Sequence, residues 1–188
     1  GILGTILLGC LGWNGWIAVV IYFVLGATVT RLGLKLKKKS GLAESRDGKR
    51  GPENVWGSAA VGAIFAVLIN TGSTFNNLFE IAFAASFTAK LADTFGSEIG
   101  KLWGKNTYLI TNFRPVQPGT EGAISLEGTL ASLLGSLLMV VPMYLLGFIE
   151  TINLLIMIFV IGFIATLIES FIGATAQHKF ILLSNEMV

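Results

Sequence analysis

The chain is 188 residues long, 53% hydrophobic and only 13% charged, with a mean hydropathy of +0.75, whereas soluble domains are near a quarter charged. This excludes a soluble globular enzyme and predicts an all-α, polytopic transmembrane helical bundle, because helices satisfy the backbone in lipid and no barrel-type alternation is present. A net charge of +2, one histidine (His178) and one cysteine (Cys10) leave no ground for a nucleic-acid partner, a disulfide framework, a cysteine metal site or a histidine-centred mechanism.

In chain order, residues 2–11 predict part of a helix, GWNGW (12–16) a turn with interfacial tryptophans, and 17–34 a second span. Residues 35–54, KLKKKSGLAESRDGKRGPEN, form a long basic loop. A short third span follows over 55–70, carrying Gly57, Ser58, Ala59, Ala60, Gly62 and Ala63 for close helix packing. NTGSTFNN (70–77) predicts a polar turn, 78–103 a fourth helix, and 104–124 a second long loop. The fifth and sixth spans, 125–148 and 151–175, are joined by a tight turn. About six spans within one transmembrane domain over 1–188 are expected, each near the roughly 20 residues that cross a bilayer. Both ends look like cuts through a longer protein.

Loops 35–54 and 104–124 and the tail carry Lys and Arg, whereas 12–16, 70–77 and 148–151 carry neither. The positive-inside rule therefore places the long loops on the cytoplasmic or equivalent side of a multi-pass integral membrane protein.

Polar chemistry gathers on that side. In and beside ADTFGSEIG (92–100), Lys90, Asp93, Ser97 and Lys101 are spaced to share one helical stripe, with Glu98 at its edge. Asp93 and Glu98 are candidate ligands for Mg²⁺, a hard cation that prefers oxygen and is usually shared with substrate phosphates. Helix-end ion pairing is the plainer reading, but charge at membrane depth is costly and marks a functional interior. Arg46, Lys49 and Arg50 surround Gly48 and Gly51, with Asn54 opening the next helix. Guanidinium groups and glycine backbone suit phosphate, although such a loop can also only set topology or attract anionic lipid. Arg114 precedes Gly119, Thr120, Glu121, Gly122 and Ser125 at the entry to span five, a candidate anion cradle that is not a Walker A loop. Glu169, with Gln177 two helical turns on, completes the cluster. A cationic, metal-binding mouth above an apolar bundle suits a ligand with a phosphate head and a lipid tail. The crowding of charge at one face favours an enzyme over a transporter or lipid-binding scaffold, whose sites tend toward the midplane.

KRGPENV, ADTFGSEIG, ITNFRPVQPGTEGAISLEGT and ESFIGATAQ, in that order, resemble the signature segments of the integral-membrane family containing the phytyl-phosphate kinases of plastids and photosynthetic bacteria, with archaeal and animal members. The chain is also distantly similar to CTP-using polyprenol kinases and CDP-archaeol synthases. The resemblance implies Mg²⁺-dependent phosphoryl transfer from a nucleoside triphosphate, CTP favoured, to an isoprenyl monophosphate, giving a diphosphate used in tocopherol and quinone synthesis. It implies Asp93 and Glu98 as metal ligands, Lys49, Arg50 and Asn54 on phosphate, Arg114, Thr120 and Glu121 beside the nucleotide, and Glu169 and Gln177 closing the site. A CTP-dependent lipid nucleotidyltransferase is the alternative enzyme. A homodimer through the small-residue faces is left open.

Overall fold

A computed structural model describes residues 2–42, 52–72 and 74–176, with the backbone alone for Leu3, residues 52–58 and Ala176. Among these residues the helices are α1 (Ile2–Arg31), α2 (Leu34–Lys39), α3 (Pro52–Ile69), α4 (Asn76–Trp103), α5 (Leu126–Leu145) and α6 (Ile152–Ala176), with two short strands, β1 (Thr107–Leu109) and β2 (Ala123–Ser125). By length and composition Leu126–Leu145, Ile152–Thr175 and the Gly4–Arg31 run, which a break at Gly12 divides, are each apolar enough to cross a bilayer, and Ala59–Ile69 is a shorter apolar helix.

The α1 run is interrupted at Gly12, whose φ of 61° and ψ of −154° are not helical. A Cβ placed on Gly4 would lie 3.8 Å from the indole nitrogen of Trp16, whereas twelve residues of straight helix extend about 18 Å. The chain therefore doubles back at Gly12, in the GWNGW turn that the sequence suggests. Asn14, beside this turn, donates to the Leu146 carbonyl at 3.1 Å and ties it to the end of α5.

Helix α4 is the hub, packing against α1, α2, α3, α5 and α6. Its aromatic residues order the core: Phe87 stacks edge-on against Tyr22 and Phe83, with ring centroids 5.2 and 5.1 Å apart, and Phe83 meets Phe148 at 4.9 Å. Small residues bring the backbones together, and the close packing this allows is one of the forces that associate helices in lipid. Gly62 of α3 lies against the Phe87 ring and Gly96 against Ser132. A Cβ on Gly135 would stand 2.9 Å from the Leu91 carbonyl oxygen. Buried hydroxyls line this seam, each donating to a main-chain carbonyl: Thr88 to Ala84 at 2.8 Å, Ser132 to Gly128 at 3.2 Å, Ser136 across to Phe159 at 2.8 Å, and Thr166 to Phe163 at 2.8 Å.

Two segments expected as loops are more ordered. The start of the basic segment is helix α2, reached through Gly33 at φ 61°, where any side chain would strike Leu102. The 104–124 segment contains an antiparallel ladder in which Thr107 faces Ser125, Tyr108 faces Ile124 and Leu109 faces Ala123. Three-residue strands carry too little alternation to be seen in sequence.

Candidate functional site

Where α4 and α6 end and α5 begins, the hairpin roofs a cavity of about 240 Å³. Gly122, at φ 72°, docks that roof: a Cβ there would lie 2.6 Å from the Ser170 carbonyl oxygen of α6. Ser125 then closes β2 and caps α5, its hydroxyl accepting from the Gly128 N–H at 3.1 Å. The walls are Asp93, Gly96, Ser97, Gly100 and Lys101 from α4, Thr107 and residues 119–125 from the hairpin, Gly128, Thr129 and Ser132 from α5, and Thr166, Glu169 and Ser170 from α6.

The structure thus brings Asp93, Ser97, Gly119, Thr120, Glu121, Ser125 and Glu169 to one cavity. Lys90 binds its acidic side together, with Nζ 3.1 Å from Glu169 and 3.5 Å from Asp93. The Thr120 hydroxyl donates to the Gln117 carbonyl at 2.8 Å, and the Thr120 carbonyl accepts from the Ala123 N–H at 3.0 Å, so Glu121 sits in a braced turn.

Two expected residues are elsewhere. Glu98 does not line the cavity; it is buried against Lys37 of α2, with Lys101 at 3.5 Å on its other oxygen. A step of five residues turns Glu98 well away from Asp93 around α4, so the two do not meet as a pair of ligands. Arg114 also lies outside the cavity wall: it braces the hairpin, its N–H donating to Asn112 at 3.1 Å and its carbonyl accepting from Leu109 at 2.9 Å. Arg46, Lys49, Arg50 and Gln177 fall outside the described residues, and Asn54 is described only as backbone in the first turn of α3. The chain enters the 43–51 stretch from Leu42, whose side chain contacts Gly119 at the cavity wall, 2.6 Å from where a Cβ would stand.

Sequence reasoning missed Thr107, Ser132 and Thr166 in the wall and Lys37 behind it. The hydroxyls look like ordinary membrane-helix residues until the helices are packed. Lys37 sits in a lysine run that reads as solvated.

Oxygen donors suited to Mg²⁺ are present in Asp93, Glu121 and Glu169, and two of them already share one cation in Lys90. No three Asp, Glu, His or Cys side chains among the described residues converge closely enough to hold a metal alone. A Mg²⁺ ion at this place would therefore need oxygen from substrate phosphates and water beside one or two of these carboxylates.

A second, apolar groove of about 500 Å³ runs between α1, α4 and α5, lined by Phe95, Ile99, Leu130 and Leu134, with Glu127 and Thr28 among its few polar neighbours. The close approach of Gly96, Gly100 and Gly128 separates it from the polar cavity.

The chain is 48% identical over 188 residues to the uncharacterized membrane protein sll0875 of Synechocystis sp., covering 100% of this chain and 72% of that protein. It is 43% identical over 198 residues to the protein VTE6, chloroplastic, of Arabidopsis thaliana, covering 100% of this chain and 59% of that one. The uncharacterized membrane protein MJ0933 of Methanocaldococcus jannaschii is 36% identical over 187 residues, with 100% of this chain and 75% of that protein covered. The chain therefore spans about three fifths to three quarters of these relatives' lengths. No solved structure matches it. The family resemblance carried by the four segments holds over the full chain, since residues 1–188 match throughout: the protein belongs to the integral membrane protein DUF92 family.

Proposed function

We propose that the protein is a lipid-phosphate kinase that transfers the terminal phosphoryl group of a nucleoside triphosphate, CTP favoured, to an isoprenyl monophosphate such as phytyl phosphate. The observation that carries this reading is the cavity itself: three carboxylates and a lysine among glycines and hydroxyls, at one end of an apolar bundle. Its volume of about 240 Å³ falls below the roughly 300–1,000 Å³ of complete small-molecule sites. That suits the phosphates of two substrates, with the base outside and the isoprenyl chain left in lipid beside the helices. The four-segment resemblance and the similarity to VTE6 over the whole of this chain support the same reaction class.

In this reading, Asp93 and Glu169, with Glu121 nearby, would hold Mg²⁺ through oxygen, and the ion would supply neutralisation of the charge on the transferred phosphoryl group. Lys90 keeps the two helix-borne carboxylates in place, and Lys101 faces an acceptor or donor phosphate. Ser97, Ser125, the Thr120 turn and the N–H groups around Gly119 and Gly122 orient phosphate oxygens. Guanidinium and ammonium groups suit phosphate, so Arg46, Lys49 and Arg50, with Asn54, are assigned further phosphate contacts. An oxygen of the acceptor monophosphate attacks the terminal phosphorus, the bond to the bridging oxygen breaks, and the nucleoside diphosphate leaves. An acceptor phosphate that is already a dianion needs no general base. The lysine- and arginine-bearing end is assigned to the cytoplasmic or equivalent side.

The test incubates purified protein with phytyl or geranylgeranyl monophosphate, Mg²⁺ and each labelled nucleoside triphosphate in turn. Labelled isoprenyl diphosphate is the expected product. Release of pyrophosphate with formation of a CDP-lipid would replace this reading by nucleotidyl transfer, and absence of diphosphate with every nucleotide would overturn it for those acceptors.

A further inference from the structure

Lys37, Glu98 and Lys101 form a charge relay whose deep end is sealed and whose other end opens on the cavity. Lys37 and Glu98 are each 2% exposed. One Glu98 oxygen is paired with Lys37 Nζ, which also donates to the Thr30 carbonyl at 2.9 Å. The other oxygen, Oε1, is buried without a hydrogen-bond donor, and the Lys101 ammonium stands 3.5 Å from it. That distance is an ion pair but not a good hydrogen bond. Lys101 is thus held by charge while its N–H donors have no hydrogen-bond acceptor among the described residues, and it alone of the three lines the cavity. Two ammonium groups and one carboxylate leave one positive charge, and it surfaces where the cavity is.

We propose that Glu98 is a positioning residue that presents the Lys101 ammonium to a phosphate group in the cavity, with Lys37 as its buried counter-charge. Gly33 makes this possible by turning α2 back so that Lys37 reaches α4. The inference rests on the lipid-phosphate reading only in taking phosphate as the ligand class. Nucleotide and lipid phosphates share that chemistry, and both are substrates of the assay above.

Removing one member of a buried pair strands a charge, whereas replacing both by apolar residues of similar size is often neutral or stabilising. The test therefore uses Lys37→Met/Glu98→Leu, Glu98→Gln as the isosteric second variant, and Lys101→Met, each purified in detergent. Thermal unfolding with added inorganic tripolyphosphate reads phosphate binding without depending on catalysis. The double variant is expected to unfold near the wild-type temperature yet bind tripolyphosphate about tenfold more weakly, as loss of a charge-assisted contact would give. Lys101→Met should lose as much, and the triple variant no more, because the effects run through one group. In turnover, the nucleotide KM should rise while the Mg²⁺ concentration for half-maximal rate is unchanged. The proposal is overturned if the folded double variant or Glu98→Gln binds tripolyphosphate as wild type does, if the wild type binds none, or if the change appears in Mg²⁺ dependence. Lys101-dependent tripolyphosphate binding without any diphosphate product would instead sink the kinase reading and leave this one standing.

Discussion

Lys90 stands between two carboxylates on different helices, 3.1 Å from Glu169 and 3.5 Å from Asp93. That geometry separates the contribution of each residue. Asp93→Asn or Glu169→Gln leaves Lys90 one ionised partner, so the fold should survive. In the proposed role each would remove charge stabilisation from the transition state, with an expected fall in kcat of about 100-fold or more. Steady-state kinetics beside unfolding temperature would check it: a lower melting point with normal kcat would make the cluster a structural tie. The acidic members were legible in the sequence because a carboxylate in an otherwise apolar helix stands out. Lys37 was not. Its partner Glu98 is sixty-one positions away, and nothing in KLKKK distinguishes the one lysine that turns inward. Glu98 itself stood out in the sequence as a carboxylate at membrane depth, but its pairing with Lys37 did not, since helical spacing gives a direction around α4 and not what lies opposite.

The α4–α5 pair is held by absence of side chain. A Cβ on Gly135 would stand 2.9 Å from both the Leu91 carbonyl oxygen and the Phe95 Cβ, while one on Gly9 of α1 meets nothing within 4 Å. Gly135→Leu should therefore destabilise the protein by about 1–3 kcal/mol, the usual range for overpacking. Gly9→Ala should leave it unchanged or slightly firmer, as alanine favours helix. Thermal unfolding in one detergent compares the two; equal behaviour would mean that the seam yields to added bulk. Long helices were readable from charge-free runs, and α4 begins at Asn76, within two residues of the expected start. The hairpin was not readable. Its ladder joins Thr107 to Ser125 across an irregular excursion, so no local pattern announces it, and the glycines that dock it on α6 look in sequence like those of any loop.

At the scale of the whole molecule, antiparallel packing sends the Gly12 turn, the end of α3, the start of α4 and the α5–α6 connection to one end, and α2, the hairpin and the end of α6 to the other. The asymmetry of Lys and Arg between loops made this arrangement legible before any packing was known. Single cysteines introduced at Ser40 and Asn112, in a Cys10→Ala background, should react with an impermeant maleimide only from the cytoplasmic or equivalent side. Those at Thr71 and Thr151 should react only from the other. A mixed pattern within either pair would break the topology. The seam hydroxyls carry a further consequence for the membrane that houses them. Thr88, Ser132, Ser136 and Thr166 each donate to a main-chain oxygen, so none of these buried hydroxyls is left unsatisfied at membrane depth. A polar chamber can thus be cut into one end of the bundle while the seam beneath it stays compatible with lipid.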